Sequence, residues 1–321
     1  MNGRRLIGFG YAGLVSVFFS TTFSSTAVAA EKPRAPVSTP VKQSARAGEV
    51  QPEDPIKLVR EVVYNEQHDH DAHGYWRYWI ERHSTKETRI DLQVETPDGP
   101  ITRAATSNGR PLSAEAMEAE DRRLEHLLSS PSEQAQHRKE YAEDERRIAR
   151  ILVLLPDAFI YEPAQEQRLG NVACYHLRFR PNPAYPAHSI ESRIFHAMAG
   201  DLWIGTQDKR LVRLDGQLQE NVDFGYGILG RLYKNGWFRL ERTSVISGND
   251  AGDWKTQRLE VHMQGRAIFF KTIARETSEV RGGFTSVPAG LSLAQAAVLL
   301  RSSTALASGA AHPQPVALVL P

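Results

Sequence analysis

The sequence contains a single cysteine, Cys174, and has no excess of charge of either sign. One cysteine cannot form an intramolecular disulfide, so stability must come from a packed core rather than from covalent links. The 39 Lys and Arg residues are balanced by 38 Asp and Glu residues. This balance gives no electrostatic reason to expect a nucleic acid as partner.

Long apolar runs are also scarce, and the one that is present lies at the N-terminus. Arg4 and Arg5 precede the apolar residues 6–19, and the small-residue sequence "AVA" follows at 27–29. This order is typical of a secretory signal peptide, and the run is shorter than the roughly 20 residues that cross a membrane. We therefore expect residues 1–30 to be removed, leaving a periplasmic or secreted protein with no transmembrane segment. An uncleaved membrane anchor is the alternative.

Two segments have no periodic apolar pattern. Residues 31–53 are rich in Pro, Ala, Ser and charge, and residues 302–321 are rich in Ala, Ser and Pro. Such compositions predict a disordered linker and a disordered tail. Residues 54–301 are then expected to form a single domain.

Helical periodicity is found in three places within that domain. Asp54-Pro55 has the form of an N-cap followed by proline at the first helical position, which predicts a helix to about Gln67. Residues 113–155 predict a helical hairpin, with a capping box in "SPSE" and an end at Pro156. A short helix is expected over residues 291–301.

The remaining segments alternate between apolar and polar residues, which is typical of strands. Trp76, Tyr78 and Ile80 fall on one face of the first strand, and the following strands continue a meander with one face toward water. Strands resume at about residue 171 and are joined by hairpin turns such as "KNGW" at 234–237. The pattern predicts an α+β fold: a strongly curved antiparallel sheet, or half-barrel, with the N-terminal helix and the inserted hairpin packed on it.

The stretch "GYGILG" matches the dinucleotide fingerprint G-x-G-x-x-G through Gly225, Gly227 and Gly230. That motif binds a pyrophosphate when its last glycine opens a helix. Here a strand, turn and strand follow, and no βαβ unit surrounds the motif. The glycines therefore predict a bend in the sheet, and no cofactor is expected.

The stretch "NEQHDHDAHGYW" offers the possible metal ligands His68, His70 and His73. It provides at most two or three of the four ligands usual for a structural zinc, so a solvated joint between helix and strand is the favoured interpretation and a metal site stays open as the alternative. Cys174 and His176 fall on one strand face, which is the minimum for a thiol–imidazole pair. Thiol catalysis also needs an orienting third group and an oxyanion hole, so a half-buried cysteine beside an unrelated histidine is favoured and we expect a protein that is not an enzyme. A thiol enzyme is the alternative.

Aromatic residues are the abundant signal on the predicted strands. Most of them are expected in the core, but a strongly curved sheet covered by a few helices also predicts a concave cavity. The residues expected to line it are Trp76, Tyr78, Trp203, Phe224, Tyr226 and Trp237.

The order helix, meander, helical hairpin and long meander resembles the lipoprotein-carrier (LolA-like) half-barrel superfamily, which includes the sigma-regulator sensor proteins of the periplasm. The segments "FRPNPAYP", "GDLWIGTQDKRLVRLDGQL" and "VDFGYGILGRLYKNGWF" look like those of secreted bacterial proteins with this fold. The resemblance covers residues 54–300 and places no carrier residue on a numbered position. It implies an exported protein that binds a hydrophobic ligand (a lipid, an acyl chain or a lipoprotein). The alternatives are an envelope sensor or protein-interaction module without a ligand, and a metal-binding protein.

Overall fold

A computed structural model describes residues 53–68, 74–224, 230–246, 252–267 and 271–302. They form the α+β fold that the sequence predicts, with one open antiparallel sheet of fourteen strands and five helices. The expected signal peptide, the linker up to residue 52 and the tail from residue 303 lie outside the described residues. The boundaries of the single domain therefore stay predictions.

The helices and strands are numbered in chain order. The helices are α1 Pro55–Gln67, α2 Ala114–Ser129, α3 Pro131–Ala158, α4 Ile190–His196 and α5 Leu293–Ser302. The strands are β1 Tyr75–His83, β2 Thr88–Val94, β3 Ile101–Ser107, β4 Arg110–Pro111, β5 Phe159–Tyr161, β6 Gln165–Leu169, β7 Val172–Pro181, β8 Met198–Gly205, β9 Leu211–Leu218, β10 Val222–Phe224, β11 Gly230–Leu232, β12 Trp237–Val245, β13 Asp253–Ala267 and β14 Lys271–Val287.

The sheet joins the two predicted meanders through its last strand. Its order is β4-β3-β2-β1-β14-β13-β12-β9-β8-β7-β5, with β6 also paired to β7 and the short β10–β11 hairpin paired to β13. Strand β14 pairs with β1 on one side and with β13 on the other. The long strands β13 and β14 therefore link the N-terminal and C-terminal halves into one sheet.

Local sequence accounts for most of the helix boundaries. The side chain of Asp54 accepts hydrogen bonds from the backbone N–H groups at the start of α1, as its position before Pro55 predicts. Helix α3 differs from the prediction, because it continues through Pro156 to Ala158. A proline this close to a helix end removes only one late hydrogen bond, and Ala158 packs in the core. The sequence interpretation also missed α4, which begins with a reciprocal cap between Ser189 and Ser192.

The two faces of the C-terminal half of the sheet differ in chemistry. The inner face carries a cross-strand row of leucines and is covered by α1, α3 and α4: Leu177, Leu202, Leu214, Leu240 and Leu259. Between these residues, alternate positions such as Asp201, Asp215 and Arg239 form the outer face. This half therefore has the arrangement expected of an antiparallel sheet with one buried face.

The N-terminal half is buried on both faces, which corrects the prediction of a face toward water. On one face Leu92, Val94 and Ile101 pack against α5. On the other face Asp91 and Gln93 are only 4% and 0% exposed. The apolar residues of β1 and β2 lie on opposite faces, because Tyr78 pairs with Gln93 and Ile80 with Asp91. Alternation shows which residues of one strand share a face, but it does not show which faces of neighbouring strands coincide.

Helix α2 covers one edge of the sheet. The carboxylate of Glu120 accepts a hydrogen bond from the backbone N–H of Ala104 on β3. The guanidinium of Arg123 donates to the carbonyl of Thr102 on the same strand. These side chains satisfy backbone groups of β3 that would otherwise be available to another strand.

Candidate ligand-binding cavity

An apolar cavity lies between the inner face of the C-terminal half of the sheet and the helices that cover it. Its volume is ≈ 130 Å³, and its walls consist almost entirely of carbon atoms. Its lining residues come from α1, α3, α4 and the sheet: Val59, Val62, Val63, Glu66, Ile148, Ile151, Leu152, Leu155, Phe159, Tyr161, Phe179, Glu191, Ile194, Phe195, Met198, Leu202, Leu211, Leu214 and Phe238. We call this space the inner cavity.

Two walls of the inner cavity are the apolar faces of α1 and α3, which arise from residues at helical spacing. On α1 the side chains of Val59, Val62 and Val63 share one face, because residues three and four positions apart lie on the same side of a helix. Leu152 and Leu155 form the corresponding stripe near the end of α3. The two stripes face each other, and α1 and α3 pack together above the sheet.

A group of three phenylalanines closes the end of the inner cavity near α4. The ring of Phe159 lies 4.8 Å from that of Phe179 and 5.2 Å from that of Phe195, measured between centroids. The hydroxyl of Tyr161 donates to the carbonyl of Leu155 at 2.8 Å, and burial raises the pKa of this phenol. Tyr161 therefore presents its ring to the cavity and keeps its polar atom bonded to the protein.

Two carboxylates lie at the margin of this apolar lining. Glu66 of α1 forms an ion pair with Arg242 of β12, and both side chains are almost completely buried. Glu191 is the second acidic residue at the cavity and lies in the first turn of α4. The walls thus offer an apolar ligand broad carbon surface, with charge confined to the margin.

The row of leucines on the inner face changes to charged residues at β14. Leu259 of β13 is paired with Glu279, and Glu279 is paired with Arg82 of β1. Glu279 also accepts from Arg281 at 2.9 Å. Burial by itself raises the pKa of a carboxyl group, but the nearby Arg281 and Arg82 outweigh burial and hold the pKa of Glu279 below its ordinary value. The N-terminal half of the inner face therefore carries a buried ion network where the row of leucines ends.

Trp76 and Tyr78 lie in that N-terminal half and not at the inner cavity. They form a small buried cluster with Ile80 on the inner face of β1. The indole N–H of Trp76 donates to the Asp253 carboxylate, and Tyr78 accepts from the side chain of Gln93. Their rings and polar atoms are thus already packed and bonded within the protein.

The other predicted lining residues lie elsewhere. Trp203 and Trp237 are on the outer face, in pairs with His176 and His262 respectively. Phe224 packs against the main core from β10, while Tyr226 lies outside the described residues. None of the five that the structure describes lines the inner cavity.

The structure describes only part of the predicted metal cluster. His68 follows the last residue of α1, where its ring stacks on Tyr64 and its Nδ1 donates to the Tyr64 carbonyl at 2.8 Å. His70 and His73 lie outside the described residues. Within the ranges that are described, no group of three or more His, Cys, Asp or Glu side chains is placed to hold a metal ion.

Cys174 and His176 share the outer face of β7, as predicted, but their chemistry does not match a thiol catalyst. The thiol of Cys174 is buried, and burial raises its pKa. His176 bonds instead to the carboxylate of Asp201 at 2.7 Å. Because the thiolate is the reactive form of cysteine, a raised pKa opposes nucleophilic catalysis.

Comparison with known proteins gives distant similarities of fold. A DUF1329 family protein from Desulfovibrio piger aligns over 75% of this chain and 96% of its own, with 10% identity and a TM-score of 0.26. A structure of MucB in complex with MucA(peri) aligns over 77% of this chain and 97% of its own, with 9% identity and a TM-score of 0.21. No protein-family profile and no curated protein matches the sequence. Within the described residues, no helix has the length and apolar character needed to cross a membrane.

Proposed function

We propose that this protein is exported and binds an apolar ligand, such as an acyl chain, in the inner cavity. The observation that carries the proposal is the carbon lining of the space between α1, α3, α4 and the sheet. Burial of apolar surface is favourable by about 25 cal/mol per Å². An acyl chain in this space gains that free energy without leaving any polar group of its own unsatisfied.

The size of the inner cavity indicates how such a ligand enters. An engineered apolar cavity of about 150 Å³ stays dry and admits benzene, whereas sites for drug-sized ligands occupy about 300–1,000 Å³. The ≈ 130 Å³ present here accommodates a short segment of a chain. A longer ligand requires α1 to move away from α3, and the stripes of these two helices then become part of the binding surface.

Titration of the delipidated mature protein with the fluorescent fatty acid cis-parinaric acid tests this proposal. We expect saturable binding. Substituting Leu155→Trp at the wall should weaken it by about tenfold, which corresponds to about 1.4 kcal/mol. Val153→Trp is the matched control, because Val153 lies on the same helix but is exposed. Absence of saturation, or equal binding by the two variants, contradicts the proposal.

A second candidate function is the binding of a protein partner at the uncovered edge of the sheet. Strand β6 forms this edge beside β7, and its first four residues, 165–168, are exposed. The opposite edge is covered by Glu120 and Arg123 of α2. An edge strand can pair with an extended segment of another protein. Substituting Glu166→Pro would abolish such binding and leave the inner cavity unchanged, because the backbone N–H of Glu166, which lies opposite Tyr175, points to the open edge and not to β7.

A further inference from the structure

The outer face of the C-terminal half contains a polar groove that the proposed function does not use. Strand register places Asp201 opposite Asp215, and Asp215 opposite Arg239. In the next row Ala199 lies opposite Gln217. Because Ala199 is small and its neighbours are long, the surface is depressed at this point.

This depression, which we call the outer groove, has a volume of ≈ 550 Å³. Its floor includes Ala199 and the backbone of Gly200 and Gly216, which are paired across β8 and β9. A Cβ atom at Gly216 would lie 2.4 Å from the Phe238 ring, on the inner side of the sheet. The core thus requires glycine at 216, and because a side chain at this position would point inward, only backbone faces the groove here. Its other lining residues are Glu162, Arg178, Phe179, Arg180, Asp201, Asp215, Gln217, Gln219, Trp237, Phe238 and Arg239.

The charges along the outer groove cancel, and those of Asp215 and Arg239 are held in place. Its lining contains three arginines and three acidic residues. Asp215 accepts two hydrogen bonds from Arg239, at 3.1 and 3.3 Å, and two from Arg213, at 3.0 and 2.6 Å. Such bidentate pairs fix the side chains geometrically. The groove therefore presents many donors and acceptors but attracts neither anions nor cations.

Trp237 forms one wall of the outer groove and is 38% exposed. Its ring is nearly parallel to that of His262, with an interplanar angle of 15° and 6.2 Å between centroids. On the other side of Trp237 a second depression of ≈ 420 Å³ continues past His262 toward residues 83–85. An extended ligand could therefore lie across the indole and occupy both depressions.

We propose that the outer groove binds a neutral oligosaccharide, with one sugar ring placed on the indole of Trp237. A pyranose ring has an apolar C–H face that suits an aromatic surface, and tryptophan offers such a surface together with a polar N–H. Each sugar hydroxyl both donates and accepts, so it matches a surface where guanidinium and carboxylate groups alternate. A charged polymer would gain little from a groove whose charges cancel.

Calorimetric titration of the mature protein with chitotetraose, cellotetraose and maltotetraose tests the proposal. We expect at least one of these sugars to bind saturably, and Trp237→Ala to weaken that binding by about tenfold or more. Tyr233→Ala is the matched control, because Tyr233 has a similar exposure of 40% but lines neither depression. A second variant, Ala199→Lys, fills the floor of the groove while keeping Trp237 in place.

The outcomes separate this site from the inner cavity. Binding of cis-parinaric acid should be unchanged in Trp237→Ala and Ala199→Lys, whose folding is checked by circular dichroism and melting temperature. If no sugar binds, or if both variants bind as the unsubstituted protein does, the proposal is overturned. Saturable, Trp237-dependent binding of an uncharged peptide without sugar binding would also overturn it, because the groove would then belong to a protein partner.

Discussion

Glu66 on α1 and Arg242 on β12 form an ion pair in the interior, with side-chain exposures of 3% and 1%. Glu66 also lies at the margin of the inner cavity. The pair therefore connects a helix that lines the cavity to the sheet beneath it. Removing one partner of a buried pair leaves the other charge without its counterion, which is more costly than replacing both partners by apolar groups.

We accordingly expect Glu66→Ala to lower the free energy of unfolding by about 3–5 kcal/mol. The double substitution Glu66→Leu with Arg242→Met should recover much of that loss. Arg60→Ala is the control, because the Arg60–Asp157 pair is exposed and exposed pairs contribute about 0–1 kcal/mol. Urea denaturation measures all three variants, and a loss below about 1 kcal/mol for Glu66→Ala would contradict the assigned role.

Glu279 is predicted to make stability depend on acid pH. Its pKa in the folded protein lies below the unfolded value, because Arg281 and Arg82 outweigh the effect of burial. Its contribution is therefore fully present above the unfolded pKa, which is about 4.3, and is lost as the pH falls through the folded value. Glu279→Gln should lower stability at neutral pH and flatten its decline below about pH 4.

Unfolding free energies of Glu279→Gln at several pH values between neutrality and acid give the measurement. Glu118→Gln is the matched control, because the Glu118 side chain is 70% exposed. If the two variants show the same pH dependence, the ion network around Glu279 does not govern acid stability.

Local sequence signals predicted the secondary structure well where a side chain is either buried on one face of a strand or bonded to the first turn of a helix. The alternation of Trp76, Tyr78 and Ile80 corresponds to the observed burial of β1. Asp54 caps α1, and Ser130 caps α3 as the "SPSE" sequence predicts. Each of these features depends on residues a few positions apart, which a single sequence displays directly.

The inner cavity could not be predicted in the same way, because its walls come from distant segments. Phe159, Phe179 and Phe195 meet only through the register of β5, β7 and β8 and the position of α4. Helix α4 has only seven residues, which is too short for a clear apolar period. Its signal was the pair Ser189 and Ser192 at capping spacing.

Alanine substitutions at Gly283 and Gly290 distinguish the cost of backbone strain from the cost of a steric clash. Both glycines have positive φ angles, +68° and +76° respectively. A Cβ atom at Gly283 would lie 2.8 Å from Cδ1 of Trp79, whereas one at Gly290 would have no atom within 4 Å. We expect Gly290→Ala to cost about 1–2 kcal/mol from its left-handed conformation. Gly283→Ala should cost more, and equal losses in thermal unfolding would contradict the close approach to Trp79.

Cys174 provides a direct test of the thiol-enzyme alternative. Its side chain is inaccessible, and burial raises the pKa of the thiol. Because reagents attack the thiolate, we expect the native protein to react with Ellman's reagent far more slowly than the urea-unfolded protein. The reaction rate should increase with urea in parallel with unfolding, and Cys174→Ser should give no colour. The buried placement would be contradicted if the native protein reacted promptly and the pH at which its reaction rate is half-maximal lay below about 8.5, the ordinary pKa of a thiol. That result would then restore Cys174, with His176 on the same face of β7, as a candidate nucleophile.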